Sequence, residues 1–178
     1  MPCSLSAAYD GSTACPPPAP GINEDKVWLA NRADITWTGG TNKVYTNFTM
    51  SGATVLYRWK FHNKGLEFND EFTENETTGA GSWAPTLTGR ILAVSGAGAA
   101  AIEKLRGADV VAIFRAKGGK YIVIGSESGT RLKTNSTSTT ADNLGETVGI
   151  GADEEPSKHY ELLITDDATT LAALIAAE

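Results

Sequence analysis

The sequence predicts a mainly β fold with a single α-helix. Three observations carry this. Glycine is abundant at 19 residues, and Thr and Ser recur between short apolar runs, which favours strands joined by tight turns. Val55 to His62 alternates in the two-residue rhythm of a half-buried strand. One stretch, near residues 97–106, has both the cap and the stop of a helix, and it lies between apolar strands.

Residues 1–21 read as an extended arm. Its stretch Cys15-Pro16-Pro17-Pro18-Ala19-Pro20-Gly21 cannot form helix or an inner strand and suits a polyproline II spacer. A single β-rich domain then runs over 22–178. Val27–Ala30 and Ile35–Trp37 read as strands, the second ended by Gly39-Gly40. Val44–Met50 reads as a third. In VLYRWKFH, Val55, Tyr57, Trp59 and Phe61 take one face, with Arg58, Lys60 and His62 on the other.

Leu66 to Asn75 alternates again, with Leu66, Phe68, Asp70 and Phe72 on one face. Trp83 to Val94 reads as a strand pair, or as one strand broken at Pro85 and Gly89. The helix follows, with Ser95 as its cap and Gly107 as its stop. Ala101, Ile102 and Leu105 form its apolar stripe, while Glu103, Lys104 and Arg106 face out. Val110–Phe114 and Tyr121–Ile124 are apolar on both faces, which places them centrally, and Lys117-Gly118-Gly119-Lys120 joins them as a hairpin. Thr134–Thr140 is expected as an exposed loop. Strands are expected near Glu146–Ile150 and Tyr160–Thr165, and Thr169–Ala177 suits strand or helix.

Composition narrows the function classes. A net charge of −6 argues against a surface that grips nucleic acid. No apolar run reaches the ~18 residues of a membrane-spanning helix, and no secretory signal is expected from Met-Pro-Cys-Ser-Leu-Ser. Cys3 and Cys15 are the two cysteines. They suit reduced thiols, or a disulfide closing a small loop in the arm. With His62 and His159 they lack the short spacing of a zinc site.

Four chemical motifs compete with bland alternatives. Gly96-Ala97-Gly98 with Ala101 matches a dinucleotide fingerprint, in which backbone N–H groups approach a pyrophosphate. It follows about 95 residues of β-like sequence, and a hairpin stands where a crossover helix is needed. A small-residue helix start on a sheet fits better. The acidic run Glu67, Asp70, Glu71, Glu74 and Glu76 suits paired carboxylates or a cation site less well than a solvated or partner-facing surface. No G-x-S-x-G elbow accompanies the histidines. Trp28, Trp37, Trp59 and Trp83 would stack on sugars in an adhesin or carbohydrate-binding module, but core or interface aromatics are the default. No catalytic residue, metal or cofactor is expected.

The order of features resembles a known group. A Cys-containing arm leads to Val27-Trp28-Leu29-Ala30-Asn31, then to the acidic segment Phe68–Asn75. The helix with Ile102-Glu103-Lys104-Leu105 follows, then Lys117–Lys120, and Ile124-Gly125 leading to Gly129. This order, over roughly residues 22–165, is similar to small virion structural proteins of Bacteroidetes-infecting tailed phages, including crAss-like phages. More broadly it resembles tail-tube proteins. The resemblance implies a β-sandwich or half-barrel flanked by one helix, assembling into hexameric rings whose strands form a continuous barrel. Stacked rings would make a tube in the virion tail that passes double-stranded DNA without binding it specifically. Partners would be other copies and neighbouring tail proteins such as tape measure and terminator, with no membrane. Self-association would use edge strands (Val55–His62 and Leu66–Asn75), the arm and Thr134–Thr140. Glu67, Glu71, Glu74 and Glu76 would form an acidic lumen or interface face.

Overall fold

A computed structural model describes residues 9–10, 26–51, 56–62, 66–74, 80–91, 96–116, 120–140, 143–152, 155–156 and 159–162. Expectations for Cys3, Cys15, Pro16–Pro20, Glu76, Ser95 and Thr169–Ala177 fall outside these residues. The described chain is mainly β, with one helix: β1 (Tyr9–Asp10), β2 (Lys26–Asn31), β3 (Ile35–Gly39), β4 (Val44–Met50), β5 (Tyr57–Lys60), β6 (Glu67–Glu74), β7 (Gly81–Ile91), α1 (Gly96–Leu105), β8 (Val110–Arg115), β9 (Tyr121–Ile124), β10 (Arg131–Thr140), β11 (Asn143–Gly151) and β12 (Tyr160–Leu162).

Two sheets share these strands. The larger runs β1-β5-β2-β8-β9-β12-β4-β3 and the smaller β10-β11-β7-β6. The larger sheet curls into a half-barrel with apolar side chains on both faces. Val27, Leu29, Val110, Ala112, Phe114 and Ile124 pack toward the smaller sheet and α1. Trp28, Val111, Ile113 and Val123 point the other way, where Tyr45, Phe48, Ile35 and Leu162 curl over them. This is why β2, β8 and β9 read as continuous apolar runs: alternation delivers apolar groups to two cores at once.

The helix follows its expected stripe. Ile102 and Leu105 are buried against the sheets, while Glu103, Lys104 and Arg106 are exposed. It ends one residue early, where the Arg106 N–H donates to the Glu103 carbonyl at 3.1 Å. Gly107 is not among the glycines with positive φ, so no left-handed cap is used there.

Three expectations are corrected. Thr134–Thr140 is not a loop but most of β10, paired with β11 from Arg131↔Gly151 to Thr140↔Asn143. β-branched Thr favours extended backbone. The strand looked like a loop because neither face of that stretch is apolar. Second, β7 runs unbroken through Pro85 and Gly89. The Pro85 carbonyl accepts from the Ala152 N–H at 3.1 Å, and pairing on that side resumes at Trp83↔Glu155, so the strand continues past a residue that has no N–H to donate. Gly89 leaves room for the Phe61 ring, which fills the place of its absent side chain. Third, the arm is not wholly outside the sheets, because Tyr9 and Asp10 pair in parallel with Trp59 and Lys60. β5 therefore lies between β1 and β2 and is not an edge.

Candidate functional site

The smaller sheet has two unlike faces. Its inner face carries Phe68, Leu87, Ile91, Val148, Ile150 and Leu132 into the core. Cross-strand partners share a face, so the registers define the outer one. Its rows are Ser136–Thr147–Arg90, Thr134–Gly149–Thr88–Glu67, Arg131–Gly151–Thr86–Asn69, Ala84–Glu71 and Ser82–Thr73. No apolar side chain larger than that of Ala84 stands on these rows. Hydroxyls cover the glycines: a side chain at Gly149 would meet Thr134 Oγ1, and one at Gly151 would meet Thr86 Oγ1. Two glutamates, Glu67 and Glu71, balance two arginines, Arg90 and Arg131.

The edges of this sheet are β6 and β10. β6 (EFNDEFTE) holds four acidic residues and no basic one. β10 (RLKTNSTSTT) holds two basic residues and no acidic one. All three pairings inside the sheet are antiparallel, so its edges run in opposite directions. Burial and the neighbouring Arg131 hold the Lys133 ammonium below its ordinary range.

Of the expected acidic face, Glu67 and Glu71 lie together on the outer rows and are exposed. Glu74 is exposed but falls on the opposite parity, with Phe68, Asp70 and Phe72. Phe72 stays 50% exposed although it lies on the core-facing side, where it packs on Trp83 at 5.0 Å between ring centroids. Asp70, the acidic residue on the inner face, is paired with His159: Oδ2 is 2.5 Å from Nδ1, and the Asp70 side chain is only 5% exposed. The ring of Phe68 meets that of His159 edge-on.

A second polar group joins the two sheets. The chain leaves β11 and pairs with β7 again at Glu155, where Trp83 and Glu155 exchange backbone hydrogen bonds of 2.8 and 2.7 Å. Glu155 is 3% exposed. Burial pushes its carboxyl above the ordinary range, hydrogen bonds donated by the Ser128 hydroxyl and N–H oppose this, Glu127 adds to it and Arg32 opposes it. Ser128 belongs to the turn Gly125–Gly129, closed by a 3.0 Å bond between its two positive-φ glycines. The same turn receives Tyr45 OH on Ser126 Oγ at 3.1 Å and Tyr160 OH on Glu127 Oε1 at 2.6 Å. Tyr45 stacks between Trp37 and Tyr160, and burial above all pushes its hydroxyl up to about 12. Neither Asp70 nor Glu155 was legible as buried from sequence, because both lie in strongly polar surroundings.

The competing motifs are placed as follows. β7 before the helix and β8 after it lie in different sheets, so Gly96–Ala101 opens no β-α-β unit of the kind a dinucleotide fold requires. Trp28 and Trp59 are buried at 2% and 6%, which leaves Trp37 and Trp83 half-buried. His62 donates its N–H to the Arg90 carbonyl at 2.6 Å, where the chain crosses between sheets. Among the described residues no three His, Cys, Asp or Glu side chains group to hold a metal ion, and no helix is long and apolar enough to cross a membrane. Comparison of the chain with protein-family models, curated proteins and solved structures finds no match in any of the three.

Proposed function

We propose that this protein is a structural subunit that assembles head to tail through the edges of its smaller sheet. The observation that carries this is the polar outer face of that sheet, with no apolar side chain larger than that of Ala84, bounded by an acidic edge and a basic edge that run in opposite directions. A rotation that brings β10 of one copy beside β6 of the next joins them antiparallel, as every pair inside the sheet already is. Unlike charges favour that register and disfavour pairing like with like. Edge strands left open are otherwise a liability.

Closure of such a series gives a ring with the hydroxyl-rich face turned to one side. Four strands per copy reach about sixteen strands with four copies, a size at which barrels hold an aqueous channel. Hexameric rings, stacked as a tube in a phage or phage-like tail, fit within that scheme, with double-stranded DNA passing through. A face of Thr, Ser and Gly with balanced charges offers DNA neither a cationic grip nor an apolar one.

Sedimentation and negative-stain microscopy across a concentration series test the proposal. Rings or short tubes are expected as concentration rises. A strict monomer at every concentration, alone and with neighbouring tail proteins, would sink it.

A further inference from the structure

The segment from Glu155 to Leu162 carries the chain from the smaller sheet to the larger. It is fastened at both ends by polar side chains: Glu155 on Ser128, His159 on Asp70, Tyr160 on Glu127, and Glu161 on Lys120 at 3.0 Å. Among these, Glu155 is the anomaly. It is almost fully buried, and its Oε1 is buried without a hydrogen-bond partner. An ionised carboxylate accepts on both oxygens, and leaving one unmatched in a dry site is costly.

The groups that face it come from three elements. Ser128 in the Gly125–Gly129 turn supplies donors, and Glu127 in the same turn supplies a like charge. Arg32, after β2, supplies the opposing positive charge. That guanidinium is shared: it donates to the Glu127 carbonyl and lies 3.7 Å from Asp109. β7 contributes the backbone of Trp83 through its pairing with Glu155.

We propose that Glu155 is a proton-operated fastener: protonated, it closes the seam between the two sheets at Trp83 and Ser128, and ionised, it opens that seam locally. An ionised Glu155 gains its missing partners only by reaching water, and the seam's backbone bonds must part for it to do so. Burial raises the carboxyl's proton affinity, which is the direction such a device needs. The seam also bears on the assembly edge, because His159 in the same segment holds Asp70 of β6. The proposal does not rest on assembly and is read on dilute monomer.

Hydrogen exchange of the intact chain between about pH 5 and pH 9 tests it, corrected for the intrinsic chemical rate. The Trp83 and Glu155 amides are expected to lose protection by about tenfold per pH unit over the range in which the opened seam has released the Glu155 proton and the closed seam still holds it. In Glu155→Gln they should stay protected throughout, and the distant His62 amide should be flat in both. Two further variants move the end of the loss in opposite directions and serve if Glu155→Gln fails to fold. Ser128→Ala removes donors to the ionised form, so protection goes on falling to a higher pH and falls further. Glu127→Gln removes a like charge, so the fall levels off at a lower pH and is smaller. A flat wild type, equal slopes in wild type and Glu155→Gln, or both other variants shifting the same way would overturn the proposal. So would calcium restoring protection at high pH, which would make the site a cation's rather than a proton's.

Discussion

Asp70 and His159 lie eighty-nine residues apart in sequence, and His159 Nδ1 stands 2.5 Å from Asp70 Oδ2. The His159 N–H reaches the same oxygen at 3.4 Å. The pair ties the edge strand β6 to the entry of β12 in the other sheet, while Asp70 Oδ1 stays buried without a partner. Removing His159 strands a carboxylate in the interior.

His159→Ala is therefore expected to destabilise the monomer by about 2–3 kcal/mol. The double variant Asp70→Leu, His159→Leu should cost less than the sum of its two single changes, because it leaves no orphaned charge. Urea denaturation of the three variants measures this. Strict additivity would show that the pair is not coupled.

Gly89 and Phe61 give a second prediction. A methyl group at Gly89 would collide with the Phe61 ring, and Phe61 is 1% exposed. Gly89→Ala should cost about 1–3 kcal/mol through overpacking. Adding Phe61→Leu should recover part of that loss, since the smaller side chain yields room. Thermal melts of the single and double variants decide it, and a neutral Gly89→Ala would mean the strands part there at no cost.

The fastener at Glu155 makes a stability prediction with a definite sign. Its folded-state carboxyl is raised above the ordinary 4.5. Below that value both folded and unfolded chains hold the proton, so its stabilising contribution is fully present. As pH rises, the unfolded chain releases the proton first, and the contribution is lost through the folded-state value. Glu155→Gln should match wild type near pH 4 and become progressively the more stable of the two toward neutral pH. Chemical denaturation at several pH values checks this: a constant gap would mean that folding leaves the carboxyl unshifted, and a wild type that gains with pH would reverse the sign.

Charge reversal tests the proposed edge pairing. Glu67→Lys with Glu71→Lys should prevent assembly at low salt while leaving the monomer folded, because both side chains are exposed. Arg131→Glu with Lys133→Glu should do the same from the other edge. Mixed in equal amounts, the two variants should assemble, since each then meets an edge of unlike charge. Failure of the mixture, with each variant folded, would count against head-to-tail pairing of β6 with β10.

The sequence by itself determined the fold class and most element types. Alternation in β6 puts Phe68, Asp70 and Phe72 on one face, as the registers do, and the doubly apolar Val110–Phe114 reads as central, as it is. The stripe of α1 was equally plain. These features are local: they follow from periods of two and 3.6 residues and from turn chemistry.

Tertiary structure alone decided the rest. Thr134–Thr140 looked like a loop because a strand's usual signal is one apolar face, and both faces of that stretch are polar. Pro85 looks like a break because the neighbours that carry the strand past it, Ala152 and Glu155, lie some seventy residues away in sequence. The polar outer face of the smaller sheet exists only once Thr134, Gly149, Thr88 and Glu67 are brought into one row from four strands. Nothing local to Glu155 or His159 marks the first as buried or the second as the partner of Asp70. Their roles depend on desolvation, which no local pattern encodes, because burial is a property of what the rest of the chain packs around a residue.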